Sequence, residues 1–197
     1  MTVTDWQTLK EIAKQGYTDG ILCLGTVEII KRSNRPALIS SLNEADAGMA
    51  ARILRDSALT RLHIFLCRAY APCRKDDRHL RAAIEFLDQP GRIDEEPWPE
   101  KKADLLEAVR LFKEADVDPR LKGLKHMRDK LIAHLGVYDE SIPRPLYNDL
   151  FGIARSTAQI WEKLSFGAGI VMIELDHQID AYRESADAFW SRWETQP

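Results

Sequence analysis

The chain has 197 residues, of which 45% are hydrophobic and 30% are charged, and its formal net charge is −3. These values are ordinary for a globular protein and exclude a strongly basic nucleic-acid coat, although they leave room for a local basic patch. We predict one all-α domain over residues 1–197, a length sufficient to bury its own core.

The cysteine content and the apolar runs indicate where the protein works. Cys23, Cys67 and Cys73 are an odd set without the spacing of a disulfide framework, which favours a reducing compartment. The N-terminus lacks the basic and apolar regions of a signal peptide. The apolar run 21–30 is too short and too interrupted to span a bilayer. We therefore expect a cytoplasmic protein without a membrane partner.

The spacing of apolar residues predicts helices throughout, and no segment shows sustained β alternation. Thr4 or Asp5 is suited to cap a first helix that runs towards Arg32. Glycines inside this helix predict either a break or a close contact with another helix. Residues 33–37 contain an asparagine and a proline and predict a loop.

The middle of the chain is predicted to be helical as well. The longest predicted helix begins at Ser41 or Asn43 and ends before Pro72. A short helix capped by Asp76 follows. The segment 90–99 carries three prolines and an acidic cluster, and it predicts a surface loop.

Four further helices are predicted in the remaining half of the chain. One opens at Pro99, and the next restarts at Asp118-Pro119. Residues 138–145 hold two prolines and predict a loop, after which two more helices follow, the last ending near Trp193. Four or five of the predicted helices can form a bundle, with the others bracing it or extending a dimer interface.

The helix that restarts at Asp118 contains the most informative run of the sequence. Its kernel is Arg128-Asp129-Lys130-Leu131-Ile132-Ala133-His134. Arg128 falls on the centre line of an apolar stripe, between Leu124 and Leu131. Removing a guanidinium from water costs several kcal/mol unless it is paired. Arg128 is therefore either paired inside the bundle or directed at an anion that is brought to the site.

The chemistry that this kernel suits is phosphoryl transfer. On an ideal helix, Arg128 and His134 would be about 120° apart around the axis and about 9 Å apart along it, so they can flank one cleft. Histidine moves protons near neutral pH, and arginine holds a phosphate and its developing charge, while Asp129 could orient a neighbour. The non-catalytic alternatives are a structural ion pair at Arg128 and a helix-cap or surface role for His134.

The kernel resembles the Arg-polar-(four residues)-His signature of the HEPN superfamily, a group of all-helical domains of which many are ribonucleases. The aspartate after Arg128 and the Ala-His-Leu ending resemble the abortive-infection branch, which serves bacterial phage defence. Another branch partners a nucleotidyltransferase and carries a tyrosine two residues after the histidine, where this chain has Gly136. In the family, the ribonucleases cut RNA without a metal, and two protomers pair so that both motifs line one cleft.

The resemblance implies an all-α helical bundle with a four- to five-helix core and assigns roles to three residues. His134 would be the acid/base, Arg128 the phosphate-binding residue and Asp129 the polar supporter. We predict a metal-independent endoribonuclease of a phage-defence or toxin system, with RNA, a second copy of the chain and an antitoxin or defence protein as partners, and with no cofactor. The alternative is a non-catalytic HEPN module for binding or dimerisation.

Basic residues near the kernel are the predicted RNA contacts. These residues are Arg120, Lys122, Lys125 and Lys130. A second basic group consists of Arg68, Arg74, Lys75, Arg78 and Arg81. If both groups border the motif cleft, they form an RNA track whose binding weakens with salt.

A metal site is a more distant reading of the sequence. His63 and Cys67 lie four residues apart, followed by Cys73 and His79, and zinc could in principle use such a set. In a helix that also carries large apolar residues, such pairs are more often part of the core. The single Glu-x-x-His at residues 174–177 lacks the second copy that a di-iron bundle needs. We therefore predict no metal site.

Overall fold

The computed structural model describes residues 3, 5–74, 77–133, 136–170 and 173–194. Within these residues the chain forms eight α-helices and no strand, which confirms the predicted all-α class. The helices are α1 (Trp6–Ser33), α2 (Pro36–Glu44), α3 (Gly48–Ala69), α4 (Leu80–Leu87), α5 (Pro99–Asp116), α6 (Pro119–Met127), α7 (Tyr147–Gly167) and α8 (Leu175–Ser191). A 3₁₀ turn covers Ile93–Glu95, and a π-helical turn covers Arg128–Ala133.

Helix α7 lies at the centre of the bundle and packs against both α1 and α5. Its buried positions recur at spacings of three and four residues, so it presents a wide apolar face to its neighbours. Helices α3 and α8 pack on α1. The main core runs through α1 and α3–α7 and includes Ile12, Leu66, Leu105 and Leu164, all almost fully buried.

Helix α1 is unbroken over 28 residues, and its glycines serve close helix contacts rather than a break. A Cβ atom on Gly16 would lie 2.2 Å from the ring of Trp161 in α7. A Cβ atom on Gly25 would lie 2.6 Å from the ring of Tyr182 in α8. Any larger residue at these positions would push the neighbouring aromatic ring, and the helix behind it, away from α1.

Two helices replace the single helix predicted between Ser41 and Pro72, so that prediction was wrong at its N-terminal end. Helix α2 already begins at Pro36, inside the predicted loop, because proline suits the first turn of a helix, where its missing N–H needs no partner. The chain then turns at Asp46, whose φ of 56° lies in the left-handed region. Helix α3 follows and ends at Ala69, before Pro72 as predicted.

One predicted helix cap is confirmed, and a second cap is found at a position that was predicted only as a helix start. The Asp5 carboxylate accepts a hydrogen bond from the backbone N–H of Thr8 at 2.7 Å, and the Asp118 carboxylate accepts one from the backbone N–H of Arg120 at 2.8 Å. The predicted cap Asp76 lies outside the described residues, and His79 directly precedes α4. None of the described helices combines the length and the apolar character required to cross a bilayer.

Candidate functional site

The kernel lies where regular α-helix gives way to a π-helical turn. Helix α6 ends at Met127, and residues 128–133 continue with the wider π-helical pattern. Beyond this turn, the backbone N–H of Gly136 donates a hydrogen bond to the carbonyl oxygen of Lys130. The angles of an ideal helix therefore do not apply to the pair predicted to act together, and His134 itself lies outside the described residues. Single π-helical turns often occur at functional sites.

Arg128 is at the surface and is paired with its chain neighbour. Its Nε atom donates to Oδ1 of Asp129 at 2.7 Å, and a terminal guanidinium nitrogen bonds the same oxygen. The Arg128 side chain is 31% exposed and the Asp129 side chain is 49% exposed. Arg128 is therefore not sealed in the core, which was one of the two situations expected for an arginine in an apolar stripe. Its described partner is a carboxylate that is itself half exposed.

The C-terminal part of α3 lies beside the motif. Cys67 in α3 is fully buried, and burial raises its pKa to about 11 against the opposing influence of the nearby Arg128 charge. Asp129 and Lys125 also act on this thiol through space. The motif turn and α6 both contact α3, which places the motif against this helix.

A cleft of about 390 Å³ opens between α3, the motif and the beginning of α7. We call it the motif cleft. Its lining residues are Asp56, Leu59, Thr60 and His63 from α3, Leu124, Met127 and Ile132 from the motif side, and Pro145, Leu146, Tyr147 and Leu150 from the start of α7. The lining is mostly apolar, and it includes residues on both sides of Arg128 in the sequence.

His63 is the unusual polar member of the motif cleft. It is 94% buried, since only 6% of its surface is exposed. Its Nδ1 atom lies 3.1 Å from the carbonyl oxygen of Leu59, and because a carbonyl only accepts, Nδ1 carries the proton. Burial lowers the pKa of His63, so the ring is neutral and Nε2 is a bare acceptor. Nε2 has no hydrogen-bond partner among the described residues.

A second cleft, of about 420 Å³, lies on another side of α6. It contains two of the predicted RNA contacts, Arg120 and Lys122, together with Arg144 and the segment 141–145. Pro145 lines both clefts, so the two spaces adjoin. We call this space the basic cleft.

His126 fixes the loop that separates the two clefts. Its Nε2 atom accepts a hydrogen bond from the backbone N–H of Asp139 at 3.0 Å, and its ring packs edge-on against Tyr138 at 4.6 Å. The Tyr138 hydroxyl donates to the carbonyl oxygen of Pro143 at 3.2 Å. The predicted loop 138–145 is thus held against α6, which defines the wall containing Pro145.

The other predicted RNA contacts do not form one surface with these. Lys130 is exposed, next to the motif arginine and its aspartate. Lys125 instead lies 3.7 Å from a carboxylate oxygen of Asp116 and over the ring of Tyr70 at 6.0 Å, and it lines neither cleft.

The second basic group is dispersed in the same way. Arg78 pairs with Glu11 at 3.3 Å, and Arg81 pairs with Asp116. Arg68 and Arg74 are exposed, and Lys75 lies outside the described residues. None of these described arginines lines the motif cleft, so the sequence grouping does not correspond to one track.

The histidines, cysteines and acidic residues that were considered as metal ligands are not grouped as a metal site requires within the described residues. No group of three histidine, cysteine or acidic residues is placed to hold a metal ion within the described part of the chain. His177 and Glu174 form an exposed pair on the surface, 3.6 Å apart. What the sequence did not indicate is that His63 and Tyr147, which are 84 positions apart, line the same cleft beside the motif.

Comparison with known proteins agrees with the resemblance carried by the kernel. The HEPN_AbiU2 family model, described as AbiU2, matches residues 23–189, which contain the kernel and both clefts. Searches of curated proteins and of solved structures gave no match. Because the match covers most of the chain, the protein belongs to the AbiU2 family of HEPN proteins, in the abortive-infection branch of that superfamily.

Proposed function

We propose that this protein is a metal-independent endoribonuclease of a phage-defence or toxin system. The observation that carries the proposal is the state of Arg128. It is a permanently charged guanidinium beside a cleft, partly exposed, and bound only to the neighbouring Asp129 among the described residues. An exposed ion pair of this kind contributes about 0–1 kcal/mol, so a phosphate can replace the carboxylate as its partner.

In the proposed reaction, the 2′-oxygen of a ribose attacks the adjacent phosphorus while the bond from phosphorus to the 5′-oxygen breaks. His134 takes the proton of the 2′-hydroxyl as the attack begins and supplies a proton to the leaving 5′-oxygen. Arg128 donates hydrogen bonds to the phosphate oxygens, where negative charge develops in the transition state. Asp129 holds the guanidinium in place before RNA binds. The products are a 2′,3′-cyclic phosphate and a free 5′-hydroxyl.

The proposed RNA path follows the two adjoining clefts. Lys130 is close to the motif and is suited to bind a neighbouring phosphate. Beyond Pro145, Arg120 and Lys122 in the basic cleft are suited to bind the nucleotides that follow. We leave Lys125 out of this path because it lines neither cleft.

We further propose that two copies of the chain pair across the motif. A single Arg–His pair offers few groups for holding a strand, whereas two copies supply two of each. Helix α3, which contacts the motif, exposes Met49, Ile53 and Ile64 to 79%, 61% and 49% of their surfaces. Covering such residues with a second copy would remove apolar surface from water and favour association.

The cleavage assay uses purified protein, a mixture of RNAs and an excess of EDTA. We expect cleavage in EDTA, products with 2′,3′-cyclic phosphate ends, and a loss of roughly 10²–10⁴-fold for His134→Ala, the usual effect of removing a general acid or base. Cleavage that disappears with EDTA, or that survives the substitution, would contradict the mechanism.

The dimer is tested by placing a charge on α3. Ile64→Asp should shift the protein from dimer to monomer in analytical ultracentrifugation, because an unpaired charge in an interface is costly to bury. Leu106→Asp is the matched control: Leu106 is an exposed leucine of α5, 58% exposed, and the change should leave the dimer intact. A wild-type protein that is monomeric at micromolar concentration would refute the composite site.

The alternative is a non-catalytic HEPN module, in which Arg128 and Asp129 form only a structural pair. The ion pair between these two side chains is the observation that favours it. In that case the wild-type protein cuts none of the RNAs tested, and replacing Arg128 changes stability but no activity.

A further inference from the structure

The motif cleft has the form of a binding site for a flat, mostly apolar ligand. Its volume, about 390 Å³, lies within the range of small-molecule pockets. Leucine, isoleucine, methionine and proline side chains make up most of its wall. Tyr147, a residue that is 46% exposed, adds an aromatic ring that stacks on Phe151 at 5.9 Å and has further surface left for a ligand.

Among the described residues of this wall, one buried polar atom lacks a hydrogen-bond partner, and it can only accept a hydrogen bond. Nε2 of His63 is a lone-pair acceptor on a 94% buried ring, and it has no partner among the described residues. The atom itself is closed off from water, so a ligand reaches it only when the side chains that cover it move aside. A buried acceptor without a partner costs free energy, which a ligand that donates a hydrogen bond would recover. The fixed Nδ1–H bond to Leu59 keeps the ring in this tautomer.

The charges around the cleft separate a base site from a phosphate site. Asp56, which pairs with Arg52 and Arg55, is the only charged residue among the described lining residues, so no cation lines the described part of the cleft to hold a phosphate. Arg128 and Lys130, which attract a phosphate, belong to the adjoining turn and do not line the cleft. A nucleotide fits this division because its base is flat and carries N–H donors at its edge, while its phosphate is anionic.

We propose that the motif cleft holds one nucleobase of the RNA, stacked on Tyr147 and donating an N–H to Nε2 of His63, while an adjacent phosphate lies at Arg128. The inference rests on the proposed function for the identity of the ligand as RNA. It adds a specificity site: the base that fits the cleft determines which phosphate is presented to the motif. His63 and Tyr147 are then binding residues for the base and take no part in proton transfer.

The test measures binding of RNA that cannot be cut. The probes are 2′-O-methyl hexanucleotides of A, C, G and U, together with an abasic hexanucleotide, and affinity is measured by fluorescence anisotropy. We expect the base-bearing probes to bind more tightly than the abasic probe. Tyr147→Ala should remove this advantage, a change of roughly 5- to 150-fold for one stacked base, whereas Tyr147→Phe, which keeps the ring, should retain it.

His63 is tested through base preference. Wild-type protein should bind the A, C, G and U probes with different affinities. His63→Leu should reduce the differences among these four affinities, because the variant lacks the Nε2 acceptor. His63→Gln, which restores an acceptor on a side chain of similar reach, should keep part of the spread. Thermal melts accompany each variant, and His63→Leu should melt no lower than wild type, since it removes an unmatched acceptor from an apolar wall.

The results separate this inference from the proposed function. Equal binding of abasic and base-bearing probes, an undiminished advantage in Tyr147→Ala, or an unchanged spread in His63→Leu would overturn the base site even if the protein cuts RNA. Conversely, a base-dependent affinity that Tyr147→Ala abolishes would support the site even if natural RNA is never cut, which would leave a binding module.

Discussion

The two ends of the helical segment 119–133 each carry an arginine beside an aspartate, and the two pairs have different tasks. At the N-terminal end, Asp118 caps α6 by accepting the backbone N–H of Arg120, and it also binds the Arg120 guanidinium. This hydrogen bonding to Arg120 keeps the pKa of Asp118 below its usual value. The carboxylate is the sheltered partner, 19% exposed, and the guanidinium is 44% exposed.

At the C-terminal end, the arrangement is reversed. The Arg128 guanidinium is the more sheltered partner and Asp129 is the more exposed one. Among the described hydrogen bonds, the Asp129 carboxylate binds the Arg128 side chain and caps no helix. The comparison teaches that the same two residue types build a helix end in one place and hold a charge beside a cleft in the other. The difference comes from the backbone at each place: Asp118 precedes a helix whose first N–H groups need acceptors, whereas Asp129 lies within a π-helical turn.

The largest difference between the two pairs should appear in catalysis. In the proposed reaction Arg128 supplies the donors for the developing phosphate charge, so Arg128→Ala should lower kcat by about 10²–10³-fold, the effect of losing one such group. Arg120 is proposed only as a distant RNA contact, so Arg120→Ala should raise KM while leaving kcat unchanged. Steady-state kinetics on one RNA oligonucleotide measure both. Equal losses of kcat in the two variants would abolish the distinction.

The order of effects should be the opposite for stability. Asp118→Ala removes a helix cap and should lower the free energy of unfolding by about 1 kcal/mol. Asp129→Ala removes a surface pair and should change it by less than about 0.5 kcal/mol. Urea unfolding of the two variants and the wild type provides the comparison. If Asp129→Ala is the more destabilising change, Arg128 and Asp129 form a structural pair. That result would favour the non-catalytic binding module over the ribonuclease.

The smallest expected effect concerns pH and the motif cleft. Burial keeps the pKa of His63 below its ordinary value of about 6.5, so below this pH the unfolded chain takes up a proton that the folded protein does not. Stability should therefore be complete above about pH 6.5 and should fall as the pH is lowered from there. His63→Leu should reduce this fall, although burial also lowers the pKa of His79 and part of the fall will remain.

Urea unfolding of both proteins between about pH 5 and pH 7.5 measures this difference. His79 serves as the internal reference, since it is present in both proteins. Identical pH dependence in wild type and His63→Leu would show that His63 is as free to take a proton in the folded protein as in the unfolded chain.

Much of the fold follows from local sequence signals. Apolar spacing, Asp5 as a cap, and prolines at helix starts predicted most of the helices with nearly correct ends. The turn at Asp46 was missed because the alanines on either side of it favour helix, while the residue that breaks the helix needs only a left-handed φ, which aspartate tolerates. A turn that needs only one residue with a left-handed φ is therefore hard to predict where its neighbours are good helix formers.

The kernel also follows from the sequence, but its geometry does not. Arg128 could be identified as unusual because a charge interrupts an apolar stripe. The change from α-helix to π-helix at Arg128 rotates every later side chain, and no spacing rule based on an ideal helix anticipates it. The basic residues were grouped by their closeness along the chain, whereas the bundle distributes them between the motif, the basic cleft and the pair with Asp116.

The sequence by itself determined the helical class, the family and the residues of the kernel, because these depend on periodicity and on a short motif that is read along the chain. Only the tertiary structure decided what surrounds the kernel. His63 from α3 and Tyr147 from α7 meet at one cleft because the two helices pack on the same core, and packing between distant segments leaves no signal at any one of them. The unpaired nitrogen of His63 is likewise a property of that packing, since any histidine in the sequence could equally have been exposed to water.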